Sequence, residues 1–163
     1  NLVTTEPNPA VRSFTVNAVQ GPAVMFYPRK KTLTIGQNFS YEIRAEEVSS
    51  VIGYKIVLQY DRTALRIDSM VVGMFVQSGG ASYALFPSTV DAQNGRAVLE
   101  VVRLGGAPKG LAGTGTIAFV VGKVLSNKVT TDILFSKSET TYRDIDNKAI
   151  QVSQFVDGRV VIQ

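Results

Sequence analysis

The sequence predicts an all-β domain, an antiparallel sandwich of nine strands, on three observations. Nine short runs rich in β-branched and aromatic residues follow one another from Val24 to Ile162. The breaks between them carry turn chemistry: Ile35-Gly36-Gln37-Asn38, Ser78-Gly79-Gly80, Gln93-Asn94-Gly95, the Gly-rich stretch Gly105 to Gly113, and Asp157-Gly158. Gly and Asn accept the positive φ that tight turns demand. No stretch between runs has the length or period of a crossover helix, so consecutive strands are expected to pair antiparallel.

The nine runs are Val24 to Tyr27, Phe39 to Ala45, Val51 to Tyr60, Leu65 to Val72, Ser82 to Phe86, Arg96 to Leu104, Gly115 to Val124, Thr130 to Phe135 and Phe155 to Ile162. Residues 1–22 precede them with Pro7, Pro9, Gly21 and no sustained period. They read as a linker or tail, in which the alternating segment from Phe14 to Val19 is the one stretch able to add an edge strand. Residues 23–163 then form the single domain, a size that buries a core without disulfides.

Alternation assigns the faces of the third run: Tyr54, Ile56, Leu58 and Tyr60 inward, Gly53, Lys55, Val57 and Gln59 outward. Next, Asp61-Arg-Thr-Ala-Leu65 reads as one helical turn capped by the Asp carboxylate. In the sixth run Glu100 and Arg103 fall on opposite parity, which a bulge would reconcile. The run Arg29-Lys30-Lys31 and the pair Glu46-Glu47 read as solvated turn and loop charges.

Composition removes whole classes of chemistry. The chain has no Cys and no His, which excludes thiolate and imidazole catalysis and the usual structural zinc sites. Carboxylates remain, and a glycosidase needs only two of them facing across a cleft, but the 13 Asp and Glu residues fall mostly in turns and on polar strand faces. The net charge of +4 is spread thinly, unlike the clustered bases of a nucleic-acid binder. The longest apolar run, Ile117 to Val121, is far short of a bilayer span. At Asn1 there is no leader-like segment, as expected for a processed chain or a piece of a larger one.

Three motifs have bland readings that outweigh the sharper ones. Gly105 to Gly115 lacks the Gly-Lys-Ser/Thr ending of a phosphate loop and is followed by a strand, not a helix. Asn38-Phe39-Ser40 matches a glycosylation acceptor that arises often by chance. Asp144-Ile-Asp146-Asn147-Lys148 has the start of a calcium loop without its Gly and closing Glu, so it reads as a tight turn, with Asp144, Asp146 and Asn147 as a weak surface site for calcium.

Four segments, in this order, resemble the cohesin family: Leu33-Thr-Ile-Gly36-Gln-Asn-Phe39; Val48 through Tyr60-Asp61 to Leu65; Gly113-Thr-Gly115-Thr-Ile117-Ala-Phe119; and Tyr142-Arg-Asp144-Ile-Asp-Asn147 with Asp157-Gly158-Arg-Val160. The resemblance implies a jelly-roll sandwich without catalytic activity or cofactor, outside the cytoplasm or in the cell envelope, and monomeric as an isolated module. It also implies docking of a dockerin-like or envelope protein on one flat sheet, with any calcium on the partner. By that likeness the partner face is Gly53, Lys55, Val57 and Gln59, joined by Ala84, Phe86, Leu99, Val101 and Arg103. Changing Lys55 and Val57 together to Glu is then expected to weaken docking without loss of stability. Cellulosomal cohesins of the first type carry Asn and Asp where this chain has Gly53 and Lys55, so a different partner surface is implied. The Arg103-Leu104-Gly105-Gly106 pattern is more similar to cohesin-like modules associated with secretins. The alternative is a carbohydrate-binding module, which would stack sugars on exposed aromatics such as the six Tyr residues, although Trp is absent.

Overall fold

A computed structural model describes residues 18–105 and 110–163. Most of residues 1–22, and the centre of the Gly-rich connection, lie outside the described residues. The strands are β1 (Ala23–Tyr27), β2 (Lys30–Leu33), β3 (Asn38–Val51), β4 (Gly53–Tyr60), β5 (Leu65–Val72), β6 (Ser82–Leu85) and β7 (Thr89–Asp91). They continue with β8 (Arg96–Leu104), β9 (Leu111–Val124), β10 (Thr130–Phe135), β11 (Thr141–Arg143), β12 (Ala149–Ile150), β13 (Gln154–Val156) and β14 (Gly158–Ile162). Between β5 and β6 lies a short 3-10 segment, Met74–Gly80, broken at Ser78 and Gly79.

All nine predicted runs are strands, and the fold is a sandwich of two sheets. The first is ordered β13-β1-β3-β9-β5. In the second, β4 pairs with β8 on one side and, end to end on the other, with β10 and β11. β8 in turn carries β6 and β7; β14 and β2 extend from β10, and β12 from β11. Two edge pairings are parallel, β1 with β13 and β14 with β2. The remaining pairings are antiparallel, as the short connections require.

The strands beyond the predicted nine arise where a long run breaks or a charged edge pairs. Phe155 to Ile162 divides at Asp157, whose carboxylate accepts from the Phe135 amide at 2.9 Å, so that β13 joins the first sheet and β14 the second. Lys30 and Lys31 are not in a solvated turn but in edge strand β2, with the Lys31 ammonium 5.1 Å from the centre of the Tyr41 ring. Glu46 and Glu47 extend β3 through bulges and do not form a loop: Glu46 accepts from the Thr114 hydroxyl at 2.9 Å and Glu47 from the Gly21 amide at 3.0 Å.

Apolar side chains of both inner faces form one core, including Phe26, Ile43, Ile56, Leu58, Leu99, Ile117 and Ile133, all fully buried. Three tyrosines tie the sheets together through that core. Tyr54 on β4 donates to the Ile117 carbonyl at 2.7 Å, Tyr142 on β11 to that of Ala23 at 3.0 Å, and Tyr41 on β3 to that of Arg159 at 3.3 Å. A buried phenol must find an acceptor or lose hydration without compensation. Burial also raises all three phenol pKa values, that of Tyr41 to about 12.

After β4 the chain turns at Asp61. The Asp61 carbonyl accepts from the Ala64 and Leu65 amides, and its carboxylate accepts from the Thr63 amide at 2.9 Å and the Thr63 hydroxyl at 2.6 Å while pairing with Lys128 at 2.5 Å. These partners, Lys128 first, hold the carboxyl well below the usual range. A depressed folded pKa gives stability that is present above the unfolded value near pH 4 and lost as pH falls through the folded one. Asp61→Asn is therefore expected to cost about 1 kcal/mol at pH 7, a figure discounted for the exposure of the pair. The gap between the two proteins should narrow progressively as pH falls below 4 in chemical denaturation; a gap that stays constant with pH would contradict the assignment.

Candidate outer-face docking site

The outer surface of the second sheet is built from two transverse rows of side chains. Register places Arg143, Gly53, Val102 and Ala84 side by side across β11, β4, β8 and β6. The adjacent row is Thr141, Lys55 and Glu100, continued by Phe86, whose amide donates to the Glu100 carbonyl at 3.1 Å. Small residues fill the middle of the first row and large ones the second, so the surface dips along Gly53, Val102 and Ala84. The β11–β12 turn, with Ile145 at its tip, closes the dip into a shallow groove of about 530 Å³. Its apolar walls are Phe86, 47% exposed, and Ile145, 69% exposed.

That turn is locally determined. The Asp144 carboxylate accepts from the Asp146 amide at 3.0 Å and the Lys148 amide at 2.8 Å, and Asn147 takes a φ of 61°, which Asn tolerates. Asp146 pairs with Lys148 at 3.3 Å. One Asp144 oxygen is thus engaged by backbone amides, and Asp146 is neutralised by its neighbour. Among the described residues no group of three or more acidic side chains is gathered to hold a metal ion.

A second feature divides the face. Between β10 and β11 the chain steps out beside β4: the Ser136 amide donates to the Val57 carbonyl at 2.8 Å, and the Thr140 hydroxyl accepts from the Val57 amide at 3.1 Å. From this connection Glu139 reaches Arg96 on β8 at 2.7 Å. Its carboxyl is held below the usual range by the Ser136 hydroxyl first, then by Arg96 and, through space, by Lys55.

A family model for the cohesin domain matches residues 27–162. The chain belongs to the cohesin family. Solved cohesins share its fold: the OlpC module in a type I cohesin–dockerin complex from Clostridium thermocellum has a TM-score of 0.68 at 15% identity, covering 91% of this chain and 99% of that one. A type II module of the ScaA scaffoldin from Acetivibrio cellulolyticus has a TM-score of 0.67 at 17% identity, covering 87% and 91%. A non-cellulosomal cohesin from the archaeon Archaeoglobus fulgidus has 0.65 at 14%, covering 86% and 91%. No curated protein sequence matches the chain.

In this cohesin the residues expected on the outer face separate into two sets. Gly53, Lys55, Gln59, Ala84 and Phe86 do have the outward parity, with Gly53 itself buried at the floor of the groove. Val57 has the outward parity but is fully buried: the Ser136–Thr140 connection bonds its amide and carbonyl beside β4, and Glu139 from that connection reaches across the strand to Arg96. Leu99 and Val101 point the other way, into the core, at 0% and 1% exposure. No bulge interrupts the β4–β8 register, so Arg103 shares their inward parity and is buried, its guanidinium donating to the Ser78 carbonyl. The outward residues of β8 are instead Arg96, Val98, Glu100 and Val102. Their membership followed from parity alone once Arg103 was allowed inside, but a charged residue at an inward position hid it.

The tyrosines answer the sugar-stacking reading. Tyr41, Tyr54, Tyr60 and Tyr142 are buried, Tyr83 packs partly against the core, and Tyr27 is half exposed beneath the Arg44 guanidinium, 4.5 Å from its ring centre. Among the described tyrosines none forms a planar exposed row.

Proposed function

We propose that this cohesin is a non-catalytic recognition module of an extracellular or cell-envelope protein, docking a dockerin-like partner on the outer face of the β4–β8 sheet. The observation that carries the reading is the groove over Gly53, Val102 and Ala84. It is a shallow, mildly apolar hollow flanked by exposed Phe86 and Ile145 on the outer face of the sheet. Exposed apolar area of this kind on a folded domain marks a place where another surface is received. The absence of Cys and His from the sequence supports the non-catalytic assignment, and solved relatives of the same fold were captured with dockerins.

Calorimetric titration of the module with a panel of calcium-loaded dockerins is expected to give saturable 1:1 binding with a negative heat-capacity change, the mark of apolar burial. A flat titration against the whole panel, together with hits on a glycan array, would replace this reading with the carbohydrate-binding one.

A further inference from the structure

One side of the sandwich is open. β12 forms an edge of the second sheet and pairs with β11, while β13 forms an edge of the first and pairs with β1; among the described residues neither has a strand on its other side. Beside them lies a shallow hollow of about 380 Å³, walled by Lys137, Thr140 and Thr141 and, opposite, by Ile150, Val152 and Phe155. The three apolar side chains pack against the core but are only partly buried by it. The described chain begins close by. The Pro22 carbonyl accepts from the Ser153 amide at 2.7 Å, and the Gln20 amide donates to the Gln154 side-chain oxygen at 3.1 Å. Ahead of Ala18 runs Phe14-Thr-Val16-Asn17, in which the apolar residues share one parity and the polar ones the other. Phe14 is the one aromatic residue before Phe26. The cohesin match begins at residue 27, so nothing that the family shares accounts for this segment.

We infer that residues 14–17 lie along the open edge at β12 and β13, with Phe14 and Val16 closing the hollow over Ile150, Val152 and Phe155. Reach permits it: Phe14 is four residues from Ala18, a span of up to roughly 14 Å in extended chain, and Val152 adjoins Ser153, the residue that Pro22 holds. Alternation fits a strand with one covered face, since Phe14 and Val16 turn inward together while Thr15 and Asn17 meet water. The tether explains why the occupant is this chain's own segment and not a separate peptide. A few residues of linker hold it at an effective concentration in the millimolar range, so a handful of apolar contacts is enough to seat it. Seating it also covers a sheet edge that would otherwise invite pairing with another chain. The folded module then begins near Phe14, ahead of the stretch common to the family.

The sequence has no Cys, which makes disulfide trapping unambiguous. In the full chain, Phe14→Cys combined with Val152→Cys is expected to close an intrachain disulfide under mild oxidation, a bond that needs the two Cα atoms within about 7 Å. Phe14→Cys combined with Val71→Cys, on β5 at the opposite edge of the first sheet, should stay reduced. Without any cysteine, Phe14→Ser together with Val16→Ser should lower the thermal midpoint by roughly 4 °C or more, the effect of losing a buried aromatic contact in a domain of this size. Equal disulfide yields in the two pairs, or a midpoint unmoved by the serine changes, would overturn the inference. A disulfide that joins two chains would put the segment of a second copy in the hollow and overturn it as well.

Discussion

Replacing Val57 by Glu is expected to lower the unfolding free energy by about 4 kcal/mol, whereas Lys55→Glu, two residues away on the same strand face, should cost at most about 1 kcal/mol, from the like charge of Glu100 opposite it. Val57 is fully buried, and its amide and carbonyl are taken by Thr140 and Ser136. A carboxylate there has no cation within the packing, so it must either ionise without hydration or push the Ser136–Thr140 connection off the sheet. Displacing that connection also breaks the Glu139–Arg96 pair and frees the junction between β10 and β11. The Lys55 side chain is not buried and makes neither a hydrogen bond nor an ion pair with a described residue, so its Glu variant stays hydrated and meets only the repulsion of Glu100 opposite. Paired thermal and urea denaturations of the two variants decide the matter: equal midpoints would mean that Val57 is solvated. The consequence for function is practical, because a double change at Lys55 and Val57 is expected to destabilise the module, so that any loss of docking would be confounded with loss of fold.

Gly122→Ala is the second large effect, with an expected cost of about 3 kcal/mol or more. Gly122 lies on β9 between β3 and β5, opposite Ile67. A Cβ built on it would sit 2.2 Å from the Arg66 carbonyl oxygen and 2.9 Å from Phe39 Cζ. The phenyl ring can shift, but the carbonyl belongs to the strand backbone and carries the β5 ladder with it. The methyl group can enter only if β5 moves away from β9, just where the register already slips between Ile67 and Ser69. Gly53→Ala, with contacts at 3.4 Å and beyond, should by contrast be neutral or slightly stabilising, since alanine narrows the unfolded ensemble. A loss of stability at Gly122 no greater than at Gly53 would show that the β5–β9 edge is loose enough to yield.

Much of this architecture was legible before any coordinates, and the parts that were not share a cause. The β4 face could be assigned because Tyr54, Ile56, Leu58 and Tyr60 alternate cleanly with Lys55 and Gln59. Alternation reports direction, not covering: Val57 points outward as expected but is buried, with a connection roughly 80 residues later in the chain bonded to its backbone, and nothing within the strand signals that. The β8 face was misread because Arg103 looked like a surface residue, while its partner, the Ser78 carbonyl, comes from the broken 3-10 segment between β5 and β6. Strands of two to four residues such as β2, β11 and β12 hold too few residues to show a period; Tyr142 is part of a strand because β4 is there to pair with it. The groove is similarly non-local. Gly53 was on the expected face, but the wall supplied by Ile145 depends on the turn held by Asp144, a segment that the sequence suggested only as a weak cation site.

Methyl-resolved NMR of the module during titration with a bound two-helix dockerin is the most direct measure of where the partner sits. Shifts concentrated on the methyls of Ala84, Val102 and Ile145, with Val71 and Val121 on the outer face of the opposite sheet unmoved, are the expected result. Shifts centred on Val71 and Val121, with the groove methyls unchanged, would contradict it.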